Sequence, residues 1–287
     1  MRSLPLPKDE NEHVYNAGDV FKICVSRVRA SAKRNRLLSA CTLVETEADD
    51  YDAKARKMDL WKKKKHTKVG AVSCGDMVSV YSDRMVKKSG KGRRIYDQIR
   101  LASEHGRCPL CGIGAVTSLD HYLPKAHFPV FAVAPNNLIP VCSLCQMNKA
   151  DYYAKHKEGQ LLHPYFDRVY EETWLIAEVV ECAPIVFRYS AAPPTHWDAS
   201  TKARVKEHVT RLRLDSLFAQ NAGSRLAEIR HRLKCLYDKG GTGRAVREHL
   251  EEELKSIEAD CKNSWTAAMY RAAAASSWFC DGGFLEA

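Results

Sequence analysis

The chain has 287 residues, 45% of them hydrophobic, a net charge of +10 and a pI near 9.0. That is enough apolar material for one large or two small folded cores, so the chain reads as globular. No stretch approaches the roughly 20 apolar residues of a membrane helix, and the opening MRSLPLPKDENEH lacks the apolar block of a secretory signal. These features exclude a membrane span and lead us to expect a cytoplasmic protein.

The basic balance favours a polyanionic partner, since each lysine or arginine set against a phosphate releases condensed counterions. Eleven cysteines, an odd number in a chain without an export signal, point to reduced thiols and not to a disulfide scaffold. Four form Cys-x-x-Cys pairs, Cys108/Cys111 and Cys142/Cys145. The other seven are expected to be small core residues.

Residues 1–104 read as a basic helical region. Leu37, Leu38, Cys41, Val44, Tyr51, Ala55 and Met58 recur near helical spacing, which predicts an amphipathic helix from about Asn35 to Trp61. It ends in Lys62-Lys63-Lys64-Lys65-His66, a run that suits a solvated helix terminus and phosphate contact equally. A second helix is predicted from Met77 to Lys88 and a third from Arg94 to Ser103. Between them, Ser89–Arg94 lacks the spacing of a P-loop and reads as a basic turn.

Residues 105–168 change in character, with glycine, proline and cysteine punctuating short apolar runs, as expected of hairpins pinned by a metal. Each Cys-x-x-Cys sets two sulfurs on a tight turn, and two such turns can close one tetrahedral Zn2+ site at ~2.3 Å. A closed four-thiolate site has no open position for substrate, so this zinc would be structural. Thirty residues separate the pairs, and within them lies Leu119-Asp120-His121-Tyr122-Leu123-Pro124-Lys125. Phosphodiester hydrolysis needs an activated water, a cation on the leaving oxygen and a fixed geometry between them, and histidine beside aspartate supplies two of these. Adjacent strand side chains point to opposite faces, so both serve one site only if the strand is distorted or the metal lies at its edge.

Residues 169–287 are expected to hold a β-hairpin, Trp174–Val180 with Ile185–Tyr189, joined at Ala183-Pro184. Helices follow, with apolar stripes at Val205, Val209 and Leu212, then Leu226, Ile229, Leu233 and Leu236. A loop at Gly240-Gly241-Thr242-Gly243 precedes a last long helix carrying Val246, Leu250, Leu254 and Ile257. These stripes suit a helical platform for a partner or a second copy. The fold class expected is α+β, a zinc-stabilised centre flanked by helical regions.

Downstream of Asp120-His121, Pro135-Asn136-Asn137-Leu138-Ile139-Pro140-Val141-Cys142 leads into the second cysteine pair, and Gln146-Met147-Asn148-Lys149 follows. From about Cys108 to Lys149 this order resembles the ββα-metal unit of HNH endonucleases. More narrowly, Leu119–Lys125, Phe128-Pro129 and His163-Pro164-Tyr165-Phe166-Asp167 resemble the nuclease subunits of Septu-type and retron-associated anti-phage systems.

The resemblance implies that His121 is the general base, that Asp120 binds a catalytic Mg2+ or Mn2+, and that Asn137 is the middle motif residue steadying the base. The third motif position, usually Asn or His, is Gln146 here, so the further metal ligand is either Gln146 or Asn148. It also implies a defence role and a partner ATPase of the ABC or SMC type, with DNA favoured over RNA as substrate. Two rivals were weighed. A zinc-stabilised binding or assembly module that does not cut would need the same cysteines, but not Asp120-His121 with Asn137. A zinc deaminase would need a His-x-Glu, which His105-Gly106-Arg107 lacks.

Overall fold

Asn16 opens the first helix: its side-chain oxygen accepts the Asp19 amide at 3.1 Å, which satisfies one of the free N–H groups of a helix start. The computed structural model describes residues 2–240 and 242–286. The chain forms two units, Ser3–Asp167 and Arg168–Ala287 with Met1–Arg2. Regions 1–104 and 105–168, read apart in the sequence, thus lie in one unit. Residues distant in sequence fill its core: Tyr51 Oη is hydrogen-bonded to His163 Nε2 at 2.9 Å, and Tyr81 Oη donates to the Leu119 carbonyl at 3.1 Å.

The first unit runs α1 (Ala17–Val25), α2 (Ser31–Leu38), α3 (Cys41–Arg56), a short hairpin β1 (Lys68–Val69) and β2 (Val72–Ser73), α4 (Cys74–Val80) and α5 (Arg93–Leu101). A hairpin, β3 (Ser118–His121) with β4 (Leu138–Val141), leads into α6 (Ser143–Lys149).

The single helix expected over Asn35–Trp61 is two helices. At the break the Ser39 hydroxyl takes the Arg36 carbonyl, a local bond that competes with the helix ladder. The second helix stops at Arg56, and Met58 then turns left-handed at φ 56. The Met77–Lys88 helix starts earlier, where Ser73 caps the Asp76 amide, and passes into a π-helical turn over Tyr81–Val86.

The glycine-rich basic turn before α5 is closely packed: a Cβ on Gly90 would stand 2.2 Å from the Arg84 carbonyl oxygen, and one on Gly92 2.5 Å from Cys24 Sγ. Its arginines are bound to protein, Arg93 to Asp97 and the Val86 carbonyl and Arg94 to Glu10. It is an inter-helix turn. The lysine run departs from a plain solvated terminus at one position. Lys63 is buried, ion-paired with Glu47 and Asp50, and lies 5.0 Å from the centre of the Phe131 ring.

The second unit builds on β5 (Leu175–Val180) and β6 (Val186–Ala191), the expected hairpin, antiparallel with Leu175 opposite Ala191 and Val180 opposite Val186. Helices α7 (Ala199–Arg211), α8 (Leu214–Gly240), α9 (Gly243–Cys261), α10 (Trp265–Ala275) and α11 (Ser277–Cys280) follow. The helix carrying Val246 and Leu250 is therefore not the last. α8 and α10 pack on the hairpin, burying Phe187, Tyr189, Phe218 and Tyr270. Asn263 anchors the first strand, accepting the Trp174 and Leu175 amides on Oδ1 at 2.8 and 3.0 Å. Part of the expected Gly240–Gly243 loop, Gly241, lies outside the described residues.

The fold class is α+β. Among the described residues no helix is long and apolar enough to cross a membrane. Of the seven scattered cysteines, Cys24, Cys41 and Cys280 are buried in cores, whereas Cys74, Cys235 and Cys261 are only partly covered and Cys182 is exposed, contrary to the expectation for all seven.

Candidate functional site

The four paired cysteines converge. Their sulfurs all lie within 4.8 Å of one another, each residue is buried, and Cys111 Sγ stands 3.8 Å from Cys142 Sγ. Four thiolates at ~2.3 Å from one tetrahedral ion would stand about 3.8 Å apart, so the donor set fits Zn2+. The first turn is built for this. Gly112 closes it with φ 74, its amide on the Cys108 carbonyl at 2.7 Å. The Ile113 and Gly114 amides both point at Cys111 Sγ at 3.4 Å. A Cβ on Gly114 would come 2.6 Å from Cys142 Sγ, so only glycine lets the two cysteine turns approach. Hydrogen bonds among the four sulfurs push the Cys111 and Cys142 thiols down and the Cys108 and Cys145 thiols up, so the cluster shares its protons. The cluster can bind a metal such as zinc, and with four ligands it has no open position for chemistry.

The hairpin between the cysteine pairs carries the other candidates. β3 pairs with β4 so that Asp120 lies opposite Ile139 and His121 opposite Leu138. Asp120 sits at the partly open face, its side chain 14% exposed, and its Oδ2 meets Lys149 Nζ at 2.9 Å. His121 turns inward. The two side chains keep the opposite directions of a regular strand.

His121 is buried, 3% exposed. Its Nε2 lies 2.9 Å from the Ala132 carbonyl oxygen and its ring packs edge-on to Tyr81, centroids 4.5 Å apart. A carbonyl only accepts, so Nε2 carries the proton and Nδ1 holds the lone pair. Burial, with a smaller contribution from Lys125, pushes the imidazole down to about 3, so it is neutral throughout the physiological range. The Ala132 carbonyl is delivered by a 3-10 turn over Pro129–Phe131, which the buried Phe128 anchors.

Asn137 is fully buried and does what an amide can do in such a loop. Oδ1 accepts the Leu123 amide at 2.8 Å, while Nδ2 donates to the carbonyls of Leu123 and Phe131 at 3.0 and 3.3 Å. It thereby ties the segment leaving β3 to the start of β4 and to the loop that orients His121. Gln146 accepts the Ser118 hydroxyl at 2.9 Å, at the opposite end of β3 from His121. Asn148, two residues further along α6 and next to Lys149, is half-buried.

Lys149, at the end of the motif, is the residue that joins these elements. Buried at 3% exposure, it binds Asp120 and donates to the His121 carbonyl at 2.7 Å. A lysine at the end of a seven-residue helix carries no sequence signal that separates it from a solvated one. The His163–Asp167 segment packs behind the hairpin: Tyr165 Oη donates to the Leu138 carbonyl at 2.8 Å, and the His163 and Tyr122 rings lie 4.3 Å apart. It supports β4 and leaves the Asp120 face alone.

No family model matches the chain, and no solved structure matches it. Over 227 residues it is 30% identical to protein ea31 of Escherichia phage lambda, an alignment that spans 75% of this chain and 76% of that protein. The likeness covers three quarters of both proteins, and on that extent the chain belongs to the protein ea31 family.

Proposed function

We propose that the chain is a metal-dependent endonuclease of the HNH type, acting on nucleic acid, with DNA as the favoured substrate. The observation that carries this reading is the orientation of His121. With Nε2 fixed on the Ala132 carbonyl, Nδ1 is left as the proton-accepting nitrogen, in a strand–strand–helix segment bracketed by the cysteine cluster; Asp120 points to the other face of β3, so base and metal would share one site at the strand's edge.

In this reading His121 Nδ1 takes a proton from the attacking water. A base held near 3 is a weak acceptor, and an anionic phosphate bound beside it raises it, because opposite charge favours the imidazolium. Asp120 would hold Mg2+ or Mn2+, with Gln146 or Asn148 as the further ligand. Such an ion supplies Lewis-acid stabilisation of the phosphate. Asn137 positions the loop that orients the base, and the cysteine cluster holds the hairpin.

We also propose that the protein acts as an effector nuclease in anti-phage defence with an ABC- or SMC-type ATPase partner. The support is the resemblance of Leu119–Lys125, Phe128-Pro129 and His163–Asp167 to the nuclease subunits of such systems. Half-buried Ile229, Leu236, Leu254 and Ile257 on α8 and α9 offer apolar surface to such a partner or to a second copy.

A second reading, a zinc-stabilised binding or assembly module that does not cut, has its own observation. The Lys149 ammonium already neutralises Asp120, where the catalytic cation would sit. Incubation of the purified protein with plasmid DNA, with and without Mg2+ or Mn2+ and beside His121→Ala, separates the two. Metal-dependent cutting lost in His121→Ala supports the nuclease. Binding without cutting under either metal, with the partner present, supports the module.

A further inference from the structure

The lysine run and the residues around it form a surface not used so far. Lys62 Nζ lies 5.4 Å from the centre of the Trp61 ring and Lys65 Nζ 4.9 Å from that of Tyr153. His127 adds a third ring, 5.3 Å from Tyr153, and its carbonyl accepts the His66 amide at 3.0 Å, which keeps the two segments side by side. Lys62 is ion-paired with Asp59 at 2.8 Å, whereas Lys64 is exposed and has no ion pair among the described residues. Trp61, Tyr152 and Tyr153 line a narrow cleft that is also lined by Lys149, the residue that binds Asp120, so Lys149 links this cleft to Asp120.

We infer that Trp61, Tyr153 and the lysines Lys62, Lys64 and Lys65 bind single-stranded nucleic acid and lead it toward Asp120. Cations seated on or beside half-buried aromatic rings offer what an unpaired strand needs: a ring for each base and a positive charge for the neighbouring phosphate. A duplex keeps its bases stacked on one another and cannot use the rings. The cleft has room for about one water, 10 Å³, so no base enters it and any stacking is at its rim. The inference rests on the nuclease reading only for the direction of the strand. Lys63, buried among Glu47, Asp50 and Phe131, takes no part.

The test is fluorescence anisotropy with labelled single-stranded DNA, single-stranded RNA and duplex DNA of equal length, using the full chain carrying His121→Ala so that nothing is cut. Single strands bind more tightly than the duplex. Trp61→Ala and Tyr153→Ala each weaken single-strand binding by about tenfold. Trp61→Phe and Tyr153→Phe, which keep a ring, retain most of the affinity. Lys64→Ala, an exposed change, lowers the slope of log affinity against log salt by about 0.7. Equal or tighter duplex binding, or alanine variants that bind single strands like the parent, overturn the inference. Wild type that cuts plasmid while the ring variants bind normally leaves the nuclease reading standing and removes this surface. Strong single-strand binding without cutting does the reverse.

Discussion

Lys149 Nζ lies 2.9 Å from Asp120 Oδ2 and 2.7 Å from the His121 carbonyl, so the last residue of α6 grips two consecutive residues of β3. The amine is almost fully buried, and its charge is tolerable there only because these partners replace water.

Removing one partner should therefore cost more than removing both. Lys149→Met strands a partly buried carboxylate and an unbonded carbonyl, and should lower stability by roughly 3 kcal/mol in urea denaturation. Asp120→Asn should also destabilise, by leaving the ammonium without its counter-charge. The double variant should lose clearly less than the two single losses summed. Simple additivity would show that the pair is not coupled.

Zinc content and folding should fall together. Purified protein should carry about one tightly held zinc per chain, and Cys111→Ser or Cys142→Ser should release it and lower the melting temperature. Gly114→Ala is the sharper variant, because the added methyl meets Cys142 Sγ at 2.6 Å without touching any ligand's chemistry. We expect it to weaken zinc retention and to destabilise by about 1–3 kcal/mol. Unchanged metal content in Gly114→Ala would count against the tight approach of the two turns.

If His121 generates the nucleophile, His121→Ala should reduce metal-dependent cleavage by at least ~10²-fold with zinc retained. Because the ring is buried against Tyr81, the variant should also lose about 2 kcal/mol of stability from the cavity it leaves. Asp120→Ala should lose cleavage by weakening the catalytic metal, and raising Mn2+ should restore part of it; His121→Ala should gain nothing. Gln146→Ala and Asn148→Ala then identify the further ligand by which of them behaves like Asp120→Ala.

Asp52 sets a pH dependence. Burial pushes its carboxyl up to about 6 from an ordinary 3.8, although the Asn136 amide donates to it at 2.7 Å. The native state thus holds this proton more tightly than the unfolded chain. The resulting stability is fully present below pH 3.8 and is lost as pH rises through about 6. Asp52→Asn should consequently be more stable than wild type at pH 7, by about 1–2 kcal/mol after allowance for solvent screening, with the gap closing by pH 4. Thermal melts of both proteins across that range check it, and parallel curves would refute the assignment.

Local signals read well and distant partners did not. The Cys-x-x-Cys spacing, the β5–β6 hairpin and the opposite directions of Asp120 and His121 follow from local patterns of a few residues, and the structure has each of them. Lys63 and Lys149 look like any other lysines in the chain, because what buries them comes from elsewhere: Glu47 and Asp50 on α3, and Asp120 on β3. The burial of His121 depends likewise on Tyr81 and on a loop whose carbonyl lies 11 residues downstream. Helix breaks were missed where one hydroxyl, that of Ser39, or one left-handed residue, Met58, interrupts an otherwise continuous apolar stripe.

The boundary after Asp167 has a genetic consequence. All four clustered cysteines, Asp120, His121, Asn137 and Lys149 are encoded upstream of it, and Asp167 itself closes the first unit by accepting the His163 amide at 2.6 Å. A change anywhere after that codon therefore leaves every residue of the metal cluster and of the strand beside it unaltered.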